Sequence, residues 1–228
     1  MTSTLEPVPA SFVSTRSAIH TLAEHVLCVA RYEIDGHVGL CSELSGVATP
    51  PFGASETVVA VDGAEIVVRS RKGERRAPIT TVRHAADFVG VAPGVPKGLW
   101  QPATALSLDT PLVIDHRSAV TLGSWFSFVS VALKELIERT DGTFAEPTLW
   151  PEHFDLATSS DGVNYGGSPG DDYLSRPYLY VGPHTRPLPA AGKDFWNAPF
   201  GASLPYEDIA SLDHAVGFLM YGRELAAS

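Results

Sequence analysis

A chain of 228 residues, 44% of them hydrophobic, can bury a sizeable core as one large domain or two small ones. Its net charge of −10 repels nucleic acid and anionic membrane surfaces, and its two cysteines, Cys28 and Cys41, are too few for a disulfide framework or a metal knuckle. No apolar run approaches the roughly 20 residues that span a bilayer, and the opening MTSTLEPVPASFVSTRS lacks the layout of a secretion signal, so a soluble cytoplasmic protein is expected, with neither nucleic acid nor membrane as a partner.

Residues 1 to 13 carry two prolines and no periodicity and read as an extended arm. From Ser17 to Arg31, Ile19, Leu22, Ala23, Val26 and Ala30 recur at helical spacing and predict a helix with that face in the core. His20, Glu24 and His25 lie on it. Two histidines five positions apart point about 140° from each other around an α-helix, so they are read as ordinary helix residues and not as a metal pair.

Thr57 to Val61 and Ala64 to Arg69 flank Asp62-Gly63, a strong hairpin signal, which puts Val59, Val61, Ala64, Ile66 and Val68 on one wholly apolar face. Arg69, Arg71, Lys72, Arg75 and Arg76 cluster around the next turn and read as a solvated hairpin tip, without the interleaved aromatics of a single-strand binder. A third strand, Glu74 to Ile79, and a short helix capped by Thr80 or Thr81 and stopped by Gly90 follow. Residues 91 to 111, rich in Gly and Pro, read as a surface connector between two halves, 14–90 and 112–228, of a single domain.

Beyond the connector, Leu112 to Ile114 predicts a short strand, and Ser118 a cap for a helix whose stripe is Ala119, Leu122, Phe126, Val129, Leu133 and Leu136. Strands are expected at His153 to Thr158, Val163 to Gly166 and Tyr178 to Gly182, and a terminal helix around Leu212, Ala215, Val216 and Leu219. Pro51-Phe52-Gly53-Ala54-Ser55 recurs as Pro199-Phe200-Gly201-Ala202-Ser203; the order of the flanking elements differs, so the echo reads as two similar turns. The expected fold is α+β, with antiparallel sheets covered by helices in two similar helix-strands-helix halves.

Chemistry concentrates between Leu149 and Gly182. In a strand starting near His153, His153 and Asp155 share a face, and an imidazole beside a carboxylate can bind a polar group or exchange a proton. Asn164, Tyr165, Asp171 and Asp172 follow, and Trp150 and Tyr165 offer an aromatic wall. The expected ligand-binding set is therefore Trp150, His153, Asp155, Asn164, Tyr165, Asp171 and Asp172, for a small polar molecule, with no catalytic residue assigned and no cofactor expected.

Gly166-Gly167-Ser168-Pro169-Gly170 has the spacing of a nucleophile elbow, but Pro169 lacks the N–H that an oxyanion hole takes from that position, and no helix pattern follows. The first alternative is a metal-assisted hydrolase using His153, Asp155 and His184, although no H-x-H or H-E-x-x-H spacing supports it. The second is a non-catalytic structural or interaction domain, with the loop from Gly166 to Pro177 as the partner surface.

The segments LWPEHFDLA (Leu149 to Ala157), NYGGSPGD (Asn164 to Asp171) and PYLYVGP (Pro177 to Pro183) resemble a family of uncharacterised actinobacterial proteins, over nearly the whole chain. They are distantly similar to a broader bacterial domain family of unknown function, with a Phe-Asp-Leu-Ala strand and a glycine-rich turn in the same order. The resemblance implies an architecture and a location for the site, and no reaction. A histidine is not implied at the position of His153, which argues against an obligatory role for it.

Overall fold

The computed structural model describes residues 5–185 and 192–227. Helix α1 (Phe12–Leu22), a π turn (Ala23–Leu27) and α2 (Cys28–Asp35) form one continuous helical run that ends where Gly36 turns left-handed at φ 75°. It starts earlier than the expected Ser17 because Phe12 and Thr15 carry the buried stripe back one more turn.

Five antiparallel strands follow in sequence order: β1 (Cys41–Glu43), β2 (Gly46–Ala48), β3 (Val58–Asp62), β4 (Glu65–Ser70) and β5 (Gly73–Pro78). The pairs Val59 with Val68 and Val61 with Ile66 leave the faces as expected, but the turn sits one residue later, at Gly63-Ala64. Asp62 pairs with Glu65 instead of turning, and Gly63, at φ 60°, supplies the positive φ that a two-residue turn wants first.

The opposite face is apolar at its centre as well, where Ala48, Ala60 and Val67 pack together. The basic cluster beside it is matched by acids: Arg69 bridges Glu43 and Glu74, Arg71 meets Glu56, and Arg76 reaches Glu74, Asp62 and Glu65. Arg75 lies 4.3 Å over the Phe88 ring.

Helix α3 (Val82–Val89) is capped as expected, with the Thr81 side chain accepting from the His84 N–H and Gly90 closing it. From there to α4 (His116–Arg139) the chain has no helix or strand. The expected strand Leu112 to Ile114 is absent; the Leu112 N–H donates to the Thr80 carbonyl across 2.8 Å. The cap of α4 is Asp115, whose carboxylate accepts the backbone N–H and hydroxyl of Ser118, so Ser118 is the capped residue and not the cap.

Among the described residues α4 is the one helix long and apolar enough, by length and composition, to cross a membrane. Its apolar character is a stripe, however, and Leu122, Phe126, Val129, Leu133 and Leu136 on it are fully buried in the protein.

A second five-stranded sheet comprises β6 (Thr148–Trp150), β7 (Asp155–Ser160), β8 (Val163–Ser168), β9 (Tyr178–Pro183) and β10 (Ala202–Pro205), in the order β10-β9-β8-β7-β6. Helix α5 (Leu212–Ala226), capped by Ser211, follows. The fold is thus α+β with antiparallel sheets, and the chain runs helix, five strands, helix twice.

Both Pro-Phe-Gly-Ala-Ser segments hold turns: the first is closed by Phe52 pairing with Thr57, with Gly53 at φ 63°, and the second by Ala198 pairing with Gly201 before the chain enters β10. Contacts divide the chain into two compact units. One is Val8–Ser127 with Leu149–Phe154, so the connector 91–111 lies inside it; the other holds Phe128–Thr148 and the chain from Asp155 onward, with the N-terminal residues to Pro7.

Candidate functional site

The β7–β10 sheet has one apolar face, with Leu156, Val163, Leu179 and Val181 buried, and one polar face. Register decides what the polar face holds. Gly166 lies opposite Tyr180 and Ser168 opposite Tyr178, while Ser203 pairs with Tyr180 from the other side.

A Cβ on Gly166 would sit 2.7 Å from the Tyr180 hydroxyl oxygen, so the glycine leaves the space through which Tyr180 reaches over β8 to donate to Asp155 Oδ2. Tyr178 makes the parallel contact, its hydroxyl donating to Asp171 Oδ2 across 2.5 Å. Burial pushes both phenols up, and the facing carboxylates push them further, so both tyrosines stay protonated donors.

The residues expected to converge separate here. Strand β7 starts at Asp155, after a turn in which Phe154 takes φ 52°, so His153 is no strand residue and shares no face with Asp155; it is exposed and pairs with Glu152 at 3.2 Å. Tyr165 is buried on the apolar face, 6.0 Å from Phe144. Asn164 meets His184 at 2.9 Å, Trp150 and Asp172 are exposed, and Asp171 organises its loop by accepting the N–H groups of Tyr173 and Leu174.

Of the expected set, Asp155 and Asp171 share the tyrosine-lined face. Ser168 ends β8 with its hydroxyl accepting the Gly170 N–H, and no helix follows, as its sequence context indicated. Among the described residues no group of three or more His, Cys, Asp or Glu side chains converges to hold a metal, the set His153, Asp155 and His184 included.

A second polar centre lies where the sequence was read as plain helix. The π turn Ala23–Leu27 turns both Glu24 and His25 inward, where they are buried. Glu24 Oε1 accepts from the Trp100 indole N–H and the Ala103 N–H, both at 3.0 Å; Oε2 accepts from the Thr104 N–H at 2.8 Å and its hydroxyl at 2.6 Å. Burial raises the carboxyl, but these donors outweigh it and hold Glu24 below its ordinary range.

Beside it, His25 Nε2 lies 3.1 Å from Thr104 Oγ1 and 3.2 Å from the Thr104 carbonyl oxygen, while Nδ1 has no hydrogen-bond partner. The Gly94 N–H donates to the His25 carbonyl. His25 and residues of the connector, among them Val95, Gln101 and Leu106, line an open cavity of about 570 Å³. One helical turn away, burial lowers the His20 imidazole, which stacks on Phe154 with ring centroids 4.6 Å apart.

The missed signal is the run Leu22-Ala23-Glu24-His25-Val26-Leu27-Cys28, in which two polar residues are hemmed by apolar ones on every side and have no solvent face to occupy. Comparison with protein-family models, curated proteins and solved structures finds no match to any of them.

Proposed function

We propose that the protein binds a small polar molecule in the open cavity beside His25. The observation that carries this reading is an open cavity of about 570 Å³ with His25 on its wall, beside the buried Glu24 carboxylate. A few fixed polar groups on a largely apolar wall are what orient a bound molecule. Glu24 also ties down residues 100–104, so the rim needs little ordering on binding.

The test is native mass spectrometry of the full chain at low collision energy beside its Val95→Trp variant, which fills the cavity. A retained small molecule lost in the folded variant supports the reading; one retained equally by both sinks it. A second location within residues 149–184 is favoured by one observation, the buried Asp155 held by Tyr180. Binding unchanged in Asp155→Asn and Tyr180→Phe would remove it.

A further inference from the structure

We infer that residues 95–107 form a strap along the cavity, fastened at its two ends by the backbone and latched in its middle by the Glu24 carboxylate, whose charge keeps the cavity wall in place. The part this plays in binding rests on the cavity being the site proposed above.

The chain enters the strap at Gly94, whose N–H donates to the His25 carbonyl across 3.1 Å, and leaves it at Leu108, whose carbonyl accepts the Arg83 N–H across 3.0 Å. The pairing of Arg83 with Asp109, at 2.7 and 2.9 Å, fixes the second end. Gly94 holds φ 132°, a conformation side chains rarely adopt, and supplies a hinge at the first.

Between these ends, among the described residues, every hydrogen bond that leaves the strap goes to Glu24 or to His25, apart from the one between Ser107 and nearby Thr110. None of residues 95–107 is buried, so apolar packing adds little to hold the stretch down. The His25 contacts both fall on Thr104, at 3.1 and 3.2 Å, whereas Glu24 takes four shorter bonds spread over Trp100, Ala103 and Thr104.

An ionised carboxylate only accepts, and it can receive two donors on each oxygen, as Glu24 does. A carboxamide of the same shape has one such oxygen, and its NH₂ group would face the other two donors. Only His25 and Gly94 line the cavity from outside the strap; Val95 and Gln101 through Leu106 line it from within. A strap that comes loose therefore takes most of the wall with it.

The experiment compares the unmutated full-length chain with Glu24→Gln by backbone ¹⁵N relaxation, the Trp100 indole ¹H–¹⁵N signal and native mass spectrometry. In the unmutated chain Ala103 and Thr104 are expected to be as ordered as β3 and β4, with order parameters of about 0.85. In Glu24→Gln, residues 99–105 are expected to fall below about 0.6 while β3 and β4 keep their values, and the Trp100 indole proton is expected to move upfield as it leaves the carboxylate. A small molecule retained by the unmutated chain should be lost from the variant.

A strap that stays ordered in Glu24→Gln, or strands that loosen together with it, overturns the latch. A strap that loosens without loss of the retained molecule overturns its part in binding. If the unmutated chain retains no molecule, the binding-site reading falls, and the relaxation data still decide the latch. Should Glu24→Gln fail to fold, Thr104→Val leaves the carboxylate in place and removes its closest donor. It is expected to lower the order of Ala103 and shift the Trp100 indole signal, and an unchanged strap there overturns the latch.

Discussion

The β1–β5 sheet buries Val59, Val61 and Ile66 on one face and Ala60 and Val67 on the other, and its charges stay at the surface, where Arg69 and Arg76 each meet several carboxylates. The β7–β10 sheet buries one apolar face and fills the other with Asp155, Ser168, Tyr178, Tyr180 and Ser203, where Tyr180 donates to Asp155 and Tyr178 to Asp171. Both are antiparallel meanders. A surface charge network tolerates the loss of a member because water replaces it; a buried one does not. The stability of the second sheet is therefore expected to depend on individual hydroxyls and on the absence of a side chain at Gly166.

The sharpest way to break that contrast is Gly166→Val. Its Cβ would lie 2.7 Å from both the Leu156 carbonyl oxygen and the Tyr180 hydroxyl, and a loss of about 3 kcal/mol or more in urea unfolding is expected. Adding Tyr180→Phe should not rescue it, because the Leu156 backbone remains in the way. By itself, Tyr180→Phe removes a donor from a buried carboxylate and should cost about 1–3 kcal/mol, while Asp155→Leu in the Tyr180→Phe background should recover part of this.

High pH tests the same network without mutation. The Tyr178 and Tyr180 phenols are raised in the folded state, so the protein holds their protons more tightly than the unfolded chain does. Their contribution is intact below the ordinary phenol value of about 10 and is lost as pH rises through the folded values. Buried Cys28, pushed up to about 12 by burial and the nearby Glu24 charge, adds a loss beginning near pH 9. Urea midpoints should fall progressively above pH 9, and less steeply in Tyr178→Phe/Tyr180→Phe. The smallest effect is expected from Arg76→Gln, which should barely move the midpoint and lose even that shift in high salt.

Local signals made much of this fold legible. The hairpin around Gly63, the Thr81 cap and the Gly90 stop each rest on a residue and its near neighbours. Strands β1 and β2 are three residues each, too short to show alternation, and β10 lies within a Gly- and Pro-rich stretch, so none was visible. Asp155 and Asp171 stood out by type, but their tyrosine partners are chosen by strand register, which no local pattern reports. Glu24 and His25 were dismissed by the geometry of a regular α-helix, and the π turn is the departure from it that matters.

The four bonds that Glu24 makes to residues 100–104 give that part of the connector an unusual kinetic character. It has no regular secondary structure, yet the Ala103 and Thr104 amides and the Trp100 indole proton are bonded to a fully buried carboxylate. In deuterium these three protons should exchange on the slow timescale of a core helix, while the exposed Arg71-Lys72 tip is open to trypsin. A stretch that looks like a loop along the backbone would thus register, proton by proton, as part of the protein's slowest-opening interior.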